Sequence, residues 1–171
     1  YYGVFVVITL YLSNVLGFTD IQAATIAGVF SACLYLLPTF SGALADKIGF
    51  RKSMLLAFTL LSLGYMGLGL FPNFLASTGL VEYGYVTKFT GLQESGYRYG
   101  IIPIMILIIV GGSFIKSVIS GTVAKETDEK NRARGFAIFY GMVNIGAFSG
   151  KVLVTPLRDA MGHEGMIVLN Y

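Results

Sequence analysis

The chain has 171 residues, of which 55% are hydrophobic and only 12% charged, with a net charge of +3 and a mean hydropathy of +0.73. So few polar groups cannot cover a soluble particle of this size, and the small positive excess sits in turns rather than along a face, which argues against nucleic-acid binding. Cys33 and His163 each stand alone, without partners at ligand spacing, so no disulfide framework, metal site or cofactor is expected.

A membrane-crossing helix needs about 20 apolar residues, because lipid cannot satisfy exposed backbone groups. Apolar runs at 1–16, 21–44, 53–70, 100–124 and 135–157 read as five spans, and 165–171 as the start of a sixth. The first run is slightly short, opens at Tyr1 without a methionine, and has neither a basic leader nor a small-residue cleavage site. The sequence therefore reads as cut from a longer protein at both ends. Glycines in the third span (Gly64, Gly67) and the fourth (Gly111, Gly112) fit close helix packing in a membrane, where small residues let backbones approach.

Alternate turns differ in charge. The turns 45–52 and 125–134 hold seven Lys and Arg residues, whereas the opposite turns hold three, namely Lys88, Arg98 and Arg158. Positive residues favour the cytoplasm, so the first two turns are expected inside and the turn 17–20 outside. The connection 71–99 is long and aromatic, with Tyr83, Tyr85, Phe89, Tyr97 and Tyr99. It reads either as an aromatic belt at the outer interface or as a lid over an outward-facing cavity.

Asp46 falls at the C-terminal end of the second span, where the helix dipole disfavours a carboxylate, so a cation is expected beside it. Arg51 and Lys52 can supply one, and the three together can form a gating latch; a plain solvated turn is the other reading. The second span also carries Gly28, Ser31, Tyr35, Thr39, Gly42 and Asp46 at spacings of three or four, one face of a helix that meets either another helix or a water-filled pathway. Pro38 can loosen that helix. Lys116 lies about 12 Å from the inner end of the fourth span by helix rise. A charge at that depth costs at least about 2.5 kcal/mol, so it faces a cavity or counter-ion unless its long stem snorkels to the surface. Lys151 is close enough to a span end to snorkel. Asn144 is a mid-span amide that needs a hydrogen-bond partner. Lys116, Tyr35 and Asn144 are expected to converge on one aqueous cavity.

The turn Gly42-Ala43-Leu44-Ala45-Asp46-Lys47-Ile48-Gly49-Phe50-Arg51-Lys52 resembles the signature between the second and third spans of the major facilitator superfamily, with Phe50 where a basic residue is usual. Tyr1-Tyr2-Gly3, Leu34-Tyr35-Leu36-Leu37-Pro38, Gly112-Ser113-Phe114-Ile115-Lys116 and Phe139-Tyr140-Gly141-Met142-Val143-Asn144-Ile145-Gly146 look like the proton-dependent oligopeptide transporter family. Ser117 and Val118 stand where that family usually has Pro and Asn. The resemblance implies that Tyr2, Tyr35, Lys116 and Asn144 line a peptide cavity, and that Lys116 takes part in proton coupling and in binding the peptide carboxylate.

The resulting expectation is an all-α membrane protein, the N-terminal half of a major facilitator transporter in the plasma membrane. It is expected to work by symport of di- or tripeptides driven by the proton gradient, together with a C-terminal half expected beyond this stretch of sequence. A transporter of another small solute (sugar, drug or nitrate) and a non-transporting nutrient sensor are the alternatives. A membrane enzyme is disfavoured, because the spans carry no Asp, Glu or His for acid–base work.

Overall fold

The computed structural model describes residues 8–86, 89–92 and 95–168. Its elements in chain order are a π-helical segment α1 (Tyr11–Val15), helices α2 (Asp20–Ile48) and α3 (Phe50–Ser77), a hairpin of β1 (Tyr83–Val86) and β2 (Phe89–Leu92), a 3-10 turn (Gly96–Gly100), and helices α4 (Ile101–Glu126) and α5 (Arg132–Val168). Among the described residues four helical segments are long and apolar enough to cross a membrane: Asp20–Ile48, Phe50–Ser77, Gly96–Glu126 and Arg132–Leu153. The all-α membrane architecture expected from composition is thus present, with one small hairpin added to it. Tyr2 and the start of the first span lie outside the described residues.

Local chemistry sets the helix ends. Thr19 begins α2 with a capping box: its hydroxyl accepts from the Gln22 N–H at 3.3 Å, and the Gln22 amide oxygen accepts from the Thr19 N–H at 3.2 Å. A single residue separates α2 from α3. Gly49 adopts φ 93°, which L side chains rarely reach, and its N–H closes the last turn of α2 on the Ala45 carbonyl at 2.8 Å. The charged turn is therefore sharper than the expected 45–52 loop: Asp46 and Lys47 end one helix, and Arg51 and Lys52 begin the next.

Helix α4 is the centre of the packing, with α3 and α2 against it and α5 touching it more lightly. The α3–α4 seam is built on glycines, as the small-residue pattern predicts. A β-carbon at Gly64 would stand 2.5 Å from Ile108 Cγ1, and one at Gly111 would stand 3.0 Å from the Ala57 carbonyl oxygen. The α2–α4 seam is polar and runs through Ser117, which stands 3.1 Å from the Ser41 hydroxyl and donates to the Pro38 carbonyl at 2.6 Å. On the outside, Ile21, Phe40, Phe58, Phe74 and Phe148 are all exposed, the arrangement of a bundle whose solvent is lipid.

Much of the connection 71–99 is held against the bundle rather than standing free as a lid. α3 continues through Pro72 to Ser77, six residues beyond the expected loop start, and the hairpin then folds back onto α1. Gly91 is pressed against the Asn14 and Val15 carbonyls, and Gly17, at φ 69°, lies against the Leu92 carbonyl. Leu92 and Val81 are buried with Tyr11, Leu12, Leu16 and Phe18 in the larger core cluster. Tyr97 and Tyr99 are exposed, as an interfacial belt requires, whereas the side chains of Tyr83, Tyr85 and Phe89 lie outside the described set.

α5 differs from the expected pair of segments. No break separates a fifth span from the start of a sixth within 158–168; one helix runs through Pro156 to Val168. The polar stretch after Leu157 ends the apolar run but contains helix formers such as Arg158, Ala160, Met161 and Glu164, so hydropathy falls while the helix continues. Residues 169–171 of the expected sixth span lie outside the described residues.

Candidate substrate cavity

A cavity of about 530 Å³ opens between α2, α4 and α5, closed on one side by Leu61 of α3. From α4 it takes Gly112, Lys116 and Ser120, four residues apart and hence on one helical face, together with Ile115 and Ile119. From α2 it takes Leu34, Tyr35 and Pro38, and from α5 Phe139, Tyr140 and Val143. Lys116 is the one charged residue among these, so the site is an apolar and aromatic pocket with a single cation.

Lys116 is half-buried and held by two groups of α2. Its ammonium stands 4.2 Å from the centre of the Tyr35 ring, within cation–π range, and donates to the Leu34 carbonyl at 3.3 Å. The identity of that carbonyl matters. Pro38 has no N–H, so the helical donor that would reach the residue four before it, Leu34, does not exist. Lys116 fills the place that the proline leaves open.

The second interior proline is treated in the same way. Pro72 deprives the Leu68 carbonyl of its helical donor, and the Tyr11 hydroxyl of α1 donates to that carbonyl instead. Tyr11 and Leu68 are both fully enclosed. This contact is locked in the core, whereas that of Lys116 opens on a cavity.

The other residues singled out in the sequence are distributed as follows. Tyr35 shares the cavity with Lys116. Asn144 does not line it: the amide is exposed, one turn beyond Tyr140, and α5 turns the edge of Phe139, Tyr140 and Val143 inward instead. The expected convergence thus joins two residues of the three. The light packing of α5 leaves most of its described side chains exposed, Asn144 included. Tyr2 lies outside the described residues. Asp46, Arg51 and Lys52 are all exposed around Gly49, with no ion pair among them in the described residues. The carboxylate at the end of α2 and the cations at the start of α3 both oppose the helix dipoles, so these charges are not there to stabilise their own helices. Lys151 is exposed, in keeping with snorkelling. The small and polar stripe of α2 lies mainly on an exposed face, with Gly42 against Ser117 and Tyr35 at the cavity.

One residue was legible only as a loop charge. Arg98 is 2% exposed, donates from Nη1 to the Gly17 carbonyl and from Nη2 to the Gln22 amide oxygen at 3.5 Å, and stacks its guanidinium 4.6 Å from the centre of the Phe18 ring. It ties the long connection to the turn between α1 and α2. Sequence reasoning had no signal for it beyond a cation surrounded by aromatic residues, Tyr97 and Tyr99.

The charged turns share one end of the bundle. Lys125 at the end of α4 lies 5.7 Å from the Phe50 ring at the start of α3, while Arg98 and the hairpin occupy the other end.

The model of the Major Facilitator Superfamily matches residues 1–157. Among curated proteins the chain is 30% identical over 162 residues to dipeptide and tripeptide permease A of Salmonella typhi, covering 91% of this chain and 27% of that protein. It is 27% identical over 159 residues to dipeptide and tripeptide permease A of Erwinia pyrifoliae, and 25% identical over 159 residues to that of Proteus mirabilis, again with 91% of this chain covered. The chain therefore spans about 27% of the length of the first of these relatives. No solved structure matches it. Apolar helices of spanning length, a glycine-built seam and a family match over residues 1–157 lead to one conclusion: the chain belongs to the Major Facilitator Superfamily and is an integral membrane protein.

Proposed function

We propose that this chain is the N-terminal, cavity-forming part of a symporter that moves di- and tripeptides with protons across the plasma membrane. The observation that carries the proposal is the single Lys116 cation in a pocket otherwise lined by apolar and aromatic side chains. A short peptide is a small molecule with a carboxylate at one end and variable, often apolar, side chains. Lys116 would take the carboxylate, and Tyr35 and Tyr140 would offer flat faces that accept many side chains without reading one. The similarity to proteins named dipeptide and tripeptide permease supports the same reading.

In this mechanism the peptide enters from outside, binds near the middle of the membrane, and closes the cavity as the two halves of the transporter rock about it. Removing the carboxylate from water beside a half-buried ammonium is favourable only as a pair, which makes occupancy and charge interdependent. Asp46, Arg51 and Lys52 would act at the inner end, pairing with the moving halves rather than with one another. No covalent step is required.

Uptake of dialanine into proteoliposomes of the full-length transporter, driven by an inward proton gradient, tests this reading. Wild-type protein should concentrate the dipeptide and lose that ability when the gradient is collapsed. Lys116→Ala should remove uphill uptake, with Lys151→Ala close to wild type. Full uphill transport by the Lys116→Ala protein would refute the role given to the cation. Transport of a sugar or nitrate in place of the peptide, or ligand binding without any transport, would overturn the peptide-symport reading.

A further inference from the structure

Two of the interior prolines, Pro38 and Pro72, leave carbonyls without their helical donors, and a side chain from another helix serves each. Neutral Tyr11 holds Leu68 inside the core, and charged Lys116 holds Leu34 at the wall of the cavity. The difference lies in what else can reach the donor. Nothing dissolved can approach Tyr11, which is 1% exposed, whereas Lys116 faces a space of about 530 Å³.

We propose that the Leu34 carbonyl is a resting dock for the Lys116 ammonium, for which a ligand carboxylate competes, so that ligand binding releases α2 to bend at Pro38. The inference rests on the peptide reading for the identity of the ligand but not for the dock itself. Pro38 removes one rung of the α2 ladder and its ring crowds the Leu34 carbonyl, so the helix is weakest there. The ammonium reinforces that point by linking the carbonyl to α4, and Ser117 adds a second link one turn along, to the Pro38 carbonyl. A carboxylate is a far better acceptor for an ammonium than a neutral carbonyl. Once the cation turns to it, the Leu34 carbonyl must be satisfied by water or by a change in the bend of α2. Occupancy of the cavity is thereby converted into a change in the helix that carries Asp46 at its far end.

The test uses hydrogen exchange of the full-length transporter in lipid nanodiscs. Without ligand, Lys116→Met, which keeps an apolar stem of similar reach, should raise amide exchange over residues 34–42 about tenfold, the factor that corresponds to one charge-assisted hydrogen bond. In a Pro38→Ala background the same substitution should change nothing, because the restored N–H serves the Leu34 carbonyl. Equal acceleration in both backgrounds, or none in either, overturns the dock.

Dialanine added to the wild type should accelerate the same segment, and dialanine C-terminal amide should not. Dialanine binding with no change in exchange, or equal effects of acid and amide, overturns the competition. Failure of dialanine to bind at all overturns the peptide reading and the competition together, and the ligand-free comparison still decides the dock. If Lys116→Met inserts poorly, Pro38→Ala alone gives the answer by calorimetry. It should bind dialanine about tenfold more tightly while its maximal uptake rate falls, since the cation is no longer held back and the hinge is gone. Unchanged affinity and rate would count against the proposal.

Discussion

The proline of α3 and the proline of α2 pose the same problem, and the molecule solves it with different materials. At Pro72 the orphaned carbonyl receives a neutral phenol inside a dry cluster; at Pro38 it receives an ammonium on the edge of a pocket. A neutral donor in a closed core has nothing to exchange for, so that joint is a fixed part of the scaffold. A charged donor beside a cavity can be drawn off by an anion, so that joint is conditional. Pro38 and Pro72 are similar motifs in the sequence, each a proline inside an apolar run, and only the identity and surroundings of the distant donor separate scaffold from moving part.

The largest expected effect separates the two joints by function. Lys116→Ala should abolish proton-driven uptake with insertion retained, whereas Tyr11→Phe should leave turnover near wild type and lower stability by about 1–3 kcal/mol, the cost of a buried carbonyl left without a donor. Uptake together with thermal unfolding of the full-length protein measures both. Loss of transport in Tyr11→Phe at unchanged stability would erase the distinction.

Arg98 sharpens the scaffold side, because its guanidinium fastens the hairpin end through Gly17, Gln22 and Phe18. Arg98→Ala should destabilise by about 2–3 kcal/mol and raise protease sensitivity in the connection 71–99, since a buried carbonyl and an aromatic face both lose their cation. Arg98→Lys should recover only part of this, for want of the planar fork. Full stability in Arg98→Ala would show that the connection is held by apolar packing alone.

On the conditional side, Asp46 lies at the far end of the helix hinged at Pro38. Asp46→Asn keeps shape and removes charge, so expression should persist while the rate of opening and closing falls several-fold, read as lower maximal uptake at similar affinity. Unchanged turnover would count against a gating role. The gentlest measurement concerns orientation and should alter no activity. Cysteines at Thr127 and Ser95 in a Cys33-free protein should be labelled from the inner and outer side respectively, in line with the seven-to-three split of basic residues between the two sets of turns. Labelling of both from one side would place the hinge end and the hairpin end otherwise than the charges indicate.

Composition and pattern determined a good deal of this protein by themselves. Apolar runs of spanning length, in a chain with 12% charged residues, leave helices as the way to satisfy the backbone in lipid, and the second and fourth spans begin and end close to where they were expected, while the third runs on to Ser77. Gly64, Gly67 and Gly111 could be read as packing residues because the need for small side chains at a close seam is local. The motif around Asp46 and the depth of Lys116 are likewise properties of one segment each. What required the tertiary structure was every relation between segments: that Arg98, a loop charge by position, is buried under the turn between α1 and α2; that the connection 71–99 packs as a hairpin onto α1; that α5 presents Tyr140 rather than Asn144 to the cavity. Above all, the sequence shows Pro38 and Pro72 inside apolar runs and cannot show which distant donors reach the carbonyls they expose. Hydropathy reports how a residue meets its solvent, whereas a hydrogen bond across 82 residues, such as that from Lys116 to Leu34, exists only once the helices have packed.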